Sequence, residues 1–304
     1  MLLASHLITY FQAIVIGVLQ GITELFPISS LGHAVILPKL VGWHLSQKQP
    51  YFLAFLVATH LATAIVLFLF FLPEWIRILR GLGRSLRDRQ IGRDDADARL
   101  AWLLIVGTIP AGILGLLFEH PLRSLFANPK AAAAFLAVNG TLLFVFEVLR
   151  RRAPGAPERA EELEQRPETP TSEEAEKRLA TLGWREAVGV GTAQAAALFP
   201  GISRSGVTMG GSLFVGLTHE DAARYAFLLA TPIIGAAAIL KLPDLFGAEG
   251  DGVRGQALVG ALCAGVFAWA SVKFLMRYFE TNRLTPFAAY CLLAGVVSLV
   301  VFIV

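Results

Sequence analysis

Charge is what this sequence has least of for its size. Of 304 residues, only 16% are Asp, Glu, Lys or Arg, while 55% are hydrophobic. A soluble domain carries about 25% charged residues. A chain so apolar, with a mean hydropathy of +0.62, would present too much hydrocarbon to water. A soluble enzyme and an intrinsically disordered protein are thereby excluded. Cysteine is almost missing as well. Cys263 and Cys291 lie inside apolar runs without metal-ligand spacing, so they read as packing residues and exclude a disulfide scaffold. The N-terminus has neither a basic n-region nor an Ala-x-Ala site, and no removable signal peptide is expected. The net charge of +3 is then a matter of orientation in a membrane, with no nucleic-acid partner expected.

What is present is a set of long apolar runs. A spanning helix needs roughly 20 mostly apolar residues, and six stretches qualify: about 51–72, 100–118, 132–149, 221–242, 256–276 and 286–304. Two more, about 7–42 and 186–217, are interrupted, the first at Phe26-Pro27-Ile28-Ser29-Ser30 and the second at Phe199-Pro200-Gly201-Ile202-Ser203-Arg204-Ser205-Gly206. Proline removes a helix donor and clashes with the preceding turn, so each reads as a re-entrant helix–loop–helix. Irregular backbone at membrane depth survives only where protein or a watery cavity satisfies it. Arginine is concentrated in 74–99, read as a solvated inside loop, at Arg150, Arg151 and Arg152, and at Arg277 and Arg283. Arg224, near a span start, reads as snorkelling to the interface. The positive-inside rule puts the arginine-rich loops in the cytoplasm and both termini outside. The first re-entrant segment then enters from outside and the second from the cytoplasm. Residues 151–184 form a charged cytoplasmic linker with no catalytic role.

The two halves, 1–150 and 185–304, resemble each other. Gln20 with Phe26-Pro27-Ile28-Ser29-Ser30 echoes Gln194 with Phe199-Pro200-Gly201-Ile202-Ser203, and Phe55-Leu56-Val57-Ala58-Thr59-His60 echoes Phe227-Leu228-Leu229-Ala230-Thr231-Pro232. The interval from Pro27 to Phe55 is 28 residues and that from Pro200 to Phe227 is 27. Three spans per half is odd, so the second half is inverted. The expected fold is an all-α polytopic membrane protein, six transmembrane helices plus two re-entrant segments in an inverted-topology repeat.

Polar residues gather at the breaks. Gln20 and Glu24 share a helix face, and an ionisable group in an apolar segment is usually functional. Ser29 and Ser30 are N-cap residues for the next helix, and His33 lies about one turn past Ser30. In the second break, Gly201 and Gly206 permit close backbone approach, Ser203 and Ser205 cap, Arg204 offers a phosphate-matching fork, and Thr208 adds a hydroxyl. His60, Thr59 and Thr231 read as helix-packing residues. Two helix N-termini and Arg204 meeting at mid-membrane make a phosphate site. Glu24 and Gln20 supply oxygen ligands for a divalent cation. Serine beside histidine supplies a nucleophile and a proton carrier. Together they point to phosphoryl chemistry on a lipid phosphate. A transporter or flippase built on the same midplane site is the alternative.

The pattern Gln20-x-x-x-Glu24 followed by Pro27-Ile28-Ser29-Ser30-Leu31-Gly32-His33 resembles the first signature of the BacA-type undecaprenyl pyrophosphate phosphatases. Pro200-Gly201-Ile202-Ser203-Arg204-Ser205-Gly206-Val207-Thr208 resembles their second. The resemblance implies hydrolysis of undecaprenyl pyrophosphate to undecaprenyl phosphate and inorganic phosphate in the bacterial plasma membrane. Such a reaction recycles the cell-wall lipid carrier and counters bacitracin, which sequesters the substrate. The roles implied are Ser30, His33, Glu24 and Arg204 as catalytic residues and Ser29, Ser203, Ser205, Gly201 and Thr208 as substrate-binding ones. Glu24 and Gln20 are then the ligands of a divalent cation, magnesium or calcium. Ser30 is the first choice of nucleophile, with His33 or an activated water as alternatives. Gln20 stands where the family often has Glu. The expected partners are a polyprenyl pyrophosphate and membrane lipids, a homodimer is compatible, and the site opens to the outer face.

Overall fold

The computed structural model describes residues 8–45, 49–126, 128–150, 172–247 and 250–304. Residues 151–171 of the expected linker, with Arg151 and Arg152, and position 7 of the first interrupted stretch lie outside them. The described residues contain twelve α-helices and no strand. In chain order they are α1 (Tyr10–Thr23), α2 (Ser30–Leu40), α3 (Pro50–Phe70), α4 (Leu72–Asp88), α5 (Ala96–Phe126), α6 (Pro129–Arg150), α7 (Ser172–Leu179), α8 (Trp184–Ala193), α9 (Arg204–Phe214), α10 (His219–Phe246), α11 (Arg254–Tyr278) and α12 (Thr285–Ile303).

Six of these, α3, α5, α6, α10, α11 and α12, are long and apolar enough to cross a membrane, and they coincide with the six runs read from the sequence. Their outer faces carry exposed Leu116, Leu117, Ile239, Leu240, Leu262, Val266, Leu293 and Val300. That surface is untenable in water and natural against lipid tails. The protein is a multi-pass membrane protein.

Helix packing crosses between the halves. Helix α1 lies on α11, α8 lies on α5, α3 pairs with α10, and α6 pairs with α12. Small residues allow the closest of these approaches, as membrane helix pairs require. A Cβ on Gly17 would strike the Gly260 backbone, and one on Gly191 would strike the Gly107 carbonyl. Gly17 stands three residues before Gln20, and Gly191 three before Gln194.

One expectation changes here. The arginine-rich segment 74–99 is not an unstructured solvated loop. Residues 72–88 form the amphipathic helix α4, with Trp75, Ile78, Gly81 and Ser85 buried. A Cβ at Gly81 would meet the backbone of Asp97 and Ala98 at the start of α5, so the two elements touch at backbone distance. The arginines gain partners: Arg77 makes a two-pronged bond to Glu176 of α7 at 2.9 and 2.6 Å, and Arg84 holds Asp95. Arg224 does not snorkel either. Its side chain is 12% exposed and pairs with Glu74 at 3.0 Å and Glu220 at 3.6 Å. A buried carboxylate on α4 favours a buried partner over a reach to water. Arg178 likewise grips Asp221 at 2.9 and 2.8 Å. Helix α7 is thereby tied to α4 on one side and α10 on the other.

Candidate active site

Both sequence breaks are real interruptions of helix. In the first, α1 stops at Thr23, residues 24–28 turn, and α2 starts at Ser30. Ser29 sits at φ 70°, ψ 102°, a backbone region that costs a non-glycine residue about 1–3 kcal/mol and persists where surroundings over-determine it. Here two donors hold it. Ser29 Oγ accepts from Gly32 N, capping α2, and from Gly201 N of the other half, both at 3.2 Å. In the second break, α8 tightens into a 3-10 turn at Gln194–Leu198, and Gly201 adopts φ 109°. A Cβ there would collide with the Ala132 carbonyl, so only glycine fits. Ser203 caps α9 by accepting from Gly206 N at 3.1 Å. Ser205 does not cap. Its hydroxyl donates to the Phe26 carbonyl at 3.2 Å and lies 3.0 Å from Ser203 Oγ.

Asn139 of α6 joins the two breaks. Its Oδ1 accepts from Ser203 N and its Nδ2 donates to the Pro27 carbonyl, each at 3.0 Å. Proline and the cap residue leave backbone groups without helical partners, and one buried amide satisfies both. Asn139 was not anticipated from sequence; the signal that could have found it is a polar amide inside an otherwise apolar span.

Glu24 is the centre of the charged cluster. Its Oε2 accepts from Ser30 Oγ at 2.5 Å and from Gln20 Nε2 at 3.1 Å, while Oε1 accepts from Arg204 at 3.2 Å. The Glu24 side chain is 4% exposed and that of Arg204 27%, so the arginine stands on the open side. The structure therefore brings Gln20, Glu24, Ser30 and Arg204 together, as the sequence predicted. His60, read from the sequence as a packing residue, belongs to the same cluster: Nε2 is 3.4 Å from Glu24 Oε2.

The remaining predicted residues lie around this core with their polar atoms engaged. His33 Nδ1 is 2.7 Å from the Ser29 carbonyl and Nε2 is 2.8 Å from Tyr290 Oη of α12. A carbonyl only accepts, so Nδ1 carries a proton, and in the neutral ring Nε2 accepts from the tyrosine. Tyr290 was not anticipated from sequence. Thr208 Oγ1 donates to the Arg204 carbonyl at 2.7 Å, fixing the first turn of α9. Gln194, which the sequence comparison of the two halves sets against Gln20, is buried with neither amide atom hydrogen-bonded.

Gln20 and Glu24 are the residues that could hold a cation. Gln20 is 2% exposed and its Oε1 is buried with no hydrogen-bond partner, which is the condition of an oxygen awaiting a ligand. It adjoins the Glu24 carboxylate. Among the described residues no cluster of three His, Cys, Asp or Glu side chains is arranged for a metal. One carboxylate and an amide oxygen are the hard oxygen donors that an ion of the magnesium type takes.

With both halves of the site in place, its kinship can be stated. The family described as Bacitracin resistance protein BacA matches residues 13–297, a range holding both breaks and every residue of the cluster. The chain belongs to this family. A protein of Mycolicibacterium paratuberculosis named undecaprenyl-diphosphatase is 50% identical, over 98% of this chain and 98% of its own length. Undecaprenyl-diphosphatase 2 of Frankia alni is 47% identical over 98% of this chain and 99% of its own. A member with the same activity name in Acidiphilium cryptum is 43% identical over 95% and 96%.

Proposed function

We propose that the chain hydrolyses undecaprenyl pyrophosphate to undecaprenyl phosphate and inorganic phosphate, returning the lipid carrier to cell-wall synthesis. The observation that carries this reading is the meeting of Arg204, Glu24 and Ser30 across the two halves of a membrane protein of the BacA family. The named relatives are diphosphatases, which favours hydrolysis over carriage.

Arg204 and the N-termini of α2 and α9 bind the terminal phosphate and stabilise charge developing on its oxygens. Ser30 is placed as nucleophile because its hydroxyl already donates to Glu24, the acceptor for the proton it must lose. Its oxygen bonds to the terminal phosphorus, the anhydride P–O bond breaks, and undecaprenyl phosphate leaves. Water then releases inorganic phosphate from the serine. His33, whose Nε2 faces Tyr290 Oη, is the proton carrier in this reading. Ser29 and Ser203 fix the two loops that present the N-termini, and Ser205, Thr208 and Gly201 hold Arg204 and its helix in place. Glu24 and Gln20 would hold a divalent cation, magnesium or calcium, which supplies charge neutralisation on the phosphates. The test is phosphate release from undecaprenyl pyrophosphate by purified protein, with and without EDTA. Wild-type rates for Arg204→Ala and Ser30→Ala would overturn the assignment.

The reading extends to topology. Helix α1 has 14 residues, about 21 Å at 1.5 Å per residue, too short for a core of about 30 Å. This supports a re-entrant 7–42, and α8 with α9 supports a re-entrant 186–217. The exchange of partners, α1 on α11 and α8 on α5, supports two inverted repeats. Basic α4 on the cytoplasmic side puts both termini outside and opens the site to the outer face. Single cysteines in α4 and at the C-terminus, probed in intact cells with an impermeant thiol reagent, check this: only the C-terminal one should react.

A further inference from the structure

We propose that His60 is a third protein ligand of the cation held by Glu24 and Gln20, which turns an all-oxygen site into a mixed nitrogen–oxygen one. The inference rests on the cation reading above and deepens it.

His60 has the arrangement of a metal-ligating histidine. Its Nδ1 is 2.8 Å from the Leu56 carbonyl. The carbonyl only accepts, so Nδ1 carries the proton and the neutral ring keeps its lone pair on Nε2. Ligating histidines almost always donate their other N–H in this way, which fixes both tautomer and ring direction. That lone pair is aimed at Glu24 Oε2 from 3.4 Å. Two acceptors facing each other repel unless a proton or a metal cation lies between them, and the metal is the choice that also uses the buried amide oxygen of Gln20. The spacing suits one: ligand atoms about 2.1 Å from a shared ion stand about 3.0 Å apart in octahedral and about 3.4 Å apart in tetrahedral geometry.

The second observation is independent of the histidine. Gln20, whose amide nitrogen donates to the same Glu24 oxygen, has a buried Oε1 with no partner. A half-turn of the amide presents that oxygen beside Glu24. The His60 side chain is 23% exposed against 4% for Glu24, so the donors are reachable from the open side. The other half cannot build such a site, because Pro232 stands at the position equivalent to His60. Imidazole suits softer ions than an all-oxygen set does, so one nitrogen ligand raises the relative affinity for ions such as zinc or nickel without excluding magnesium or manganese.

The experiment uses full-length protein in detergent with Mn²⁺ alone and reads electron-spin-echo modulation from coordinated nitrogen. Wild-type protein should show ¹⁴N coupling that changes to ¹⁵N when histidine is ¹⁵N-labelled. His60→Gln should abolish it and weaken Mn²⁺ binding at least about tenfold, while His33→Gln keeps the coupling. Bound Mn²⁺ without nitrogen coupling in the wild type, or coupling retained in His60→Gln, overturns the assignment of His60. If in that case Glu24→Gln still abolishes Mn²⁺ binding, the cation reading itself stands. No Mn²⁺ binding, together with phosphate release indifferent to EDTA, removes both.

Discussion

The two breaks share a backbone plan and differ in chemistry. Each ends a short helix, turns through a proline, and restarts under a serine cap, Ser29 in the first and Ser203 in the second. At the equivalent glutamines they part. Gln20 is bonded to Glu24, whereas Gln194 has an adjacent 3-10 turn, no acid four residues on, and an amide with no partner. The first break carries the carboxylate, the hydroxyl and, through α3, a histidine. The second carries the arginine, with Ser203, Ser205 and Thr208 holding its loop and helix. The two breaks thus contribute groups of opposite charge to one cluster.

Experiments that break this division should show graded effects. With Ser30 as the proposed nucleophile, removing its hydroxyl with Ser30→Ala should cost on the order of 10³-fold or more in phosphate release. Arg204→Ala should cost on the order of 10²–10³-fold. Arg204→Lys should recover only part of that, because a point charge lacks the fork. Gly201→Ala attacks the scaffold instead. With φ at 109° and the Ala132 carbonyl in the way, it should lower stability by about 2–4 kcal/mol, read as a fall in the thermal unfolding midpoint in detergent.

A second acid–arginine pair, Arg77 of the first half with Glu176 of α7 in the linker, sharpens the contrast through pH. Burial raises the Glu176 carboxyl above its usual range, and the bond to Arg77 only partly offsets this. A carboxyl raised in the folded state favours the docked helix at low pH. That contribution is lost as pH climbs from the ordinary carboxylate range through the raised value. Arg77→Ala removes the offset, so hydrogen-exchange protection across 172–179, taken relative to the intrinsic rate at each pH, should fall from pH 5 to pH 8 by more than in wild type. The smallest effect is the most direct test of divergence. Gln194→Leu removes an amide with no partner and should be neutral or slightly stabilising. Gln20→Leu should reduce activity and weaken Mn²⁺ binding.

Much of this was legible in the sequence because the bilayer is so strict a solvent. Twenty apolar residues, a proline inside an apolar run, and an acid where hydrocarbon belongs each admit few explanations, so six spans, two breaks and the Glu24–Arg204 meeting were foreseen. His60, Asn139 and Tyr290 were harder. Each is a lone polar residue on a long helix, and its azimuth toward the site is set by which helix packs on which. The ends of α4 and α10 were missed for a related reason. Arg77 and Arg224 look like a basic interface until Glu176 and Glu74, 99 and 150 residues away, are seen to meet them. Charge counts along a chain carry no information about such distant pairing.

The crossed packing of the short helices sets a timetable for synthesis. Helix α8 leaves the ribosome after its partner α5 is already in the membrane. Helix α1 emerges first, yet its partner α11 ends only at Tyr278, about 255 residues later. At roughly 5–20 residues per second, that is a wait on the order of tens of seconds. During it, a helix too short to span must keep Glu24 and Gln20 out of the lipid without the surface made to receive them. The nascent first half is thus the stage at which this chain most needs an insertase or a neighbour, and mutations on the Gly17–Gly260 seam should act on yield before they act on rate.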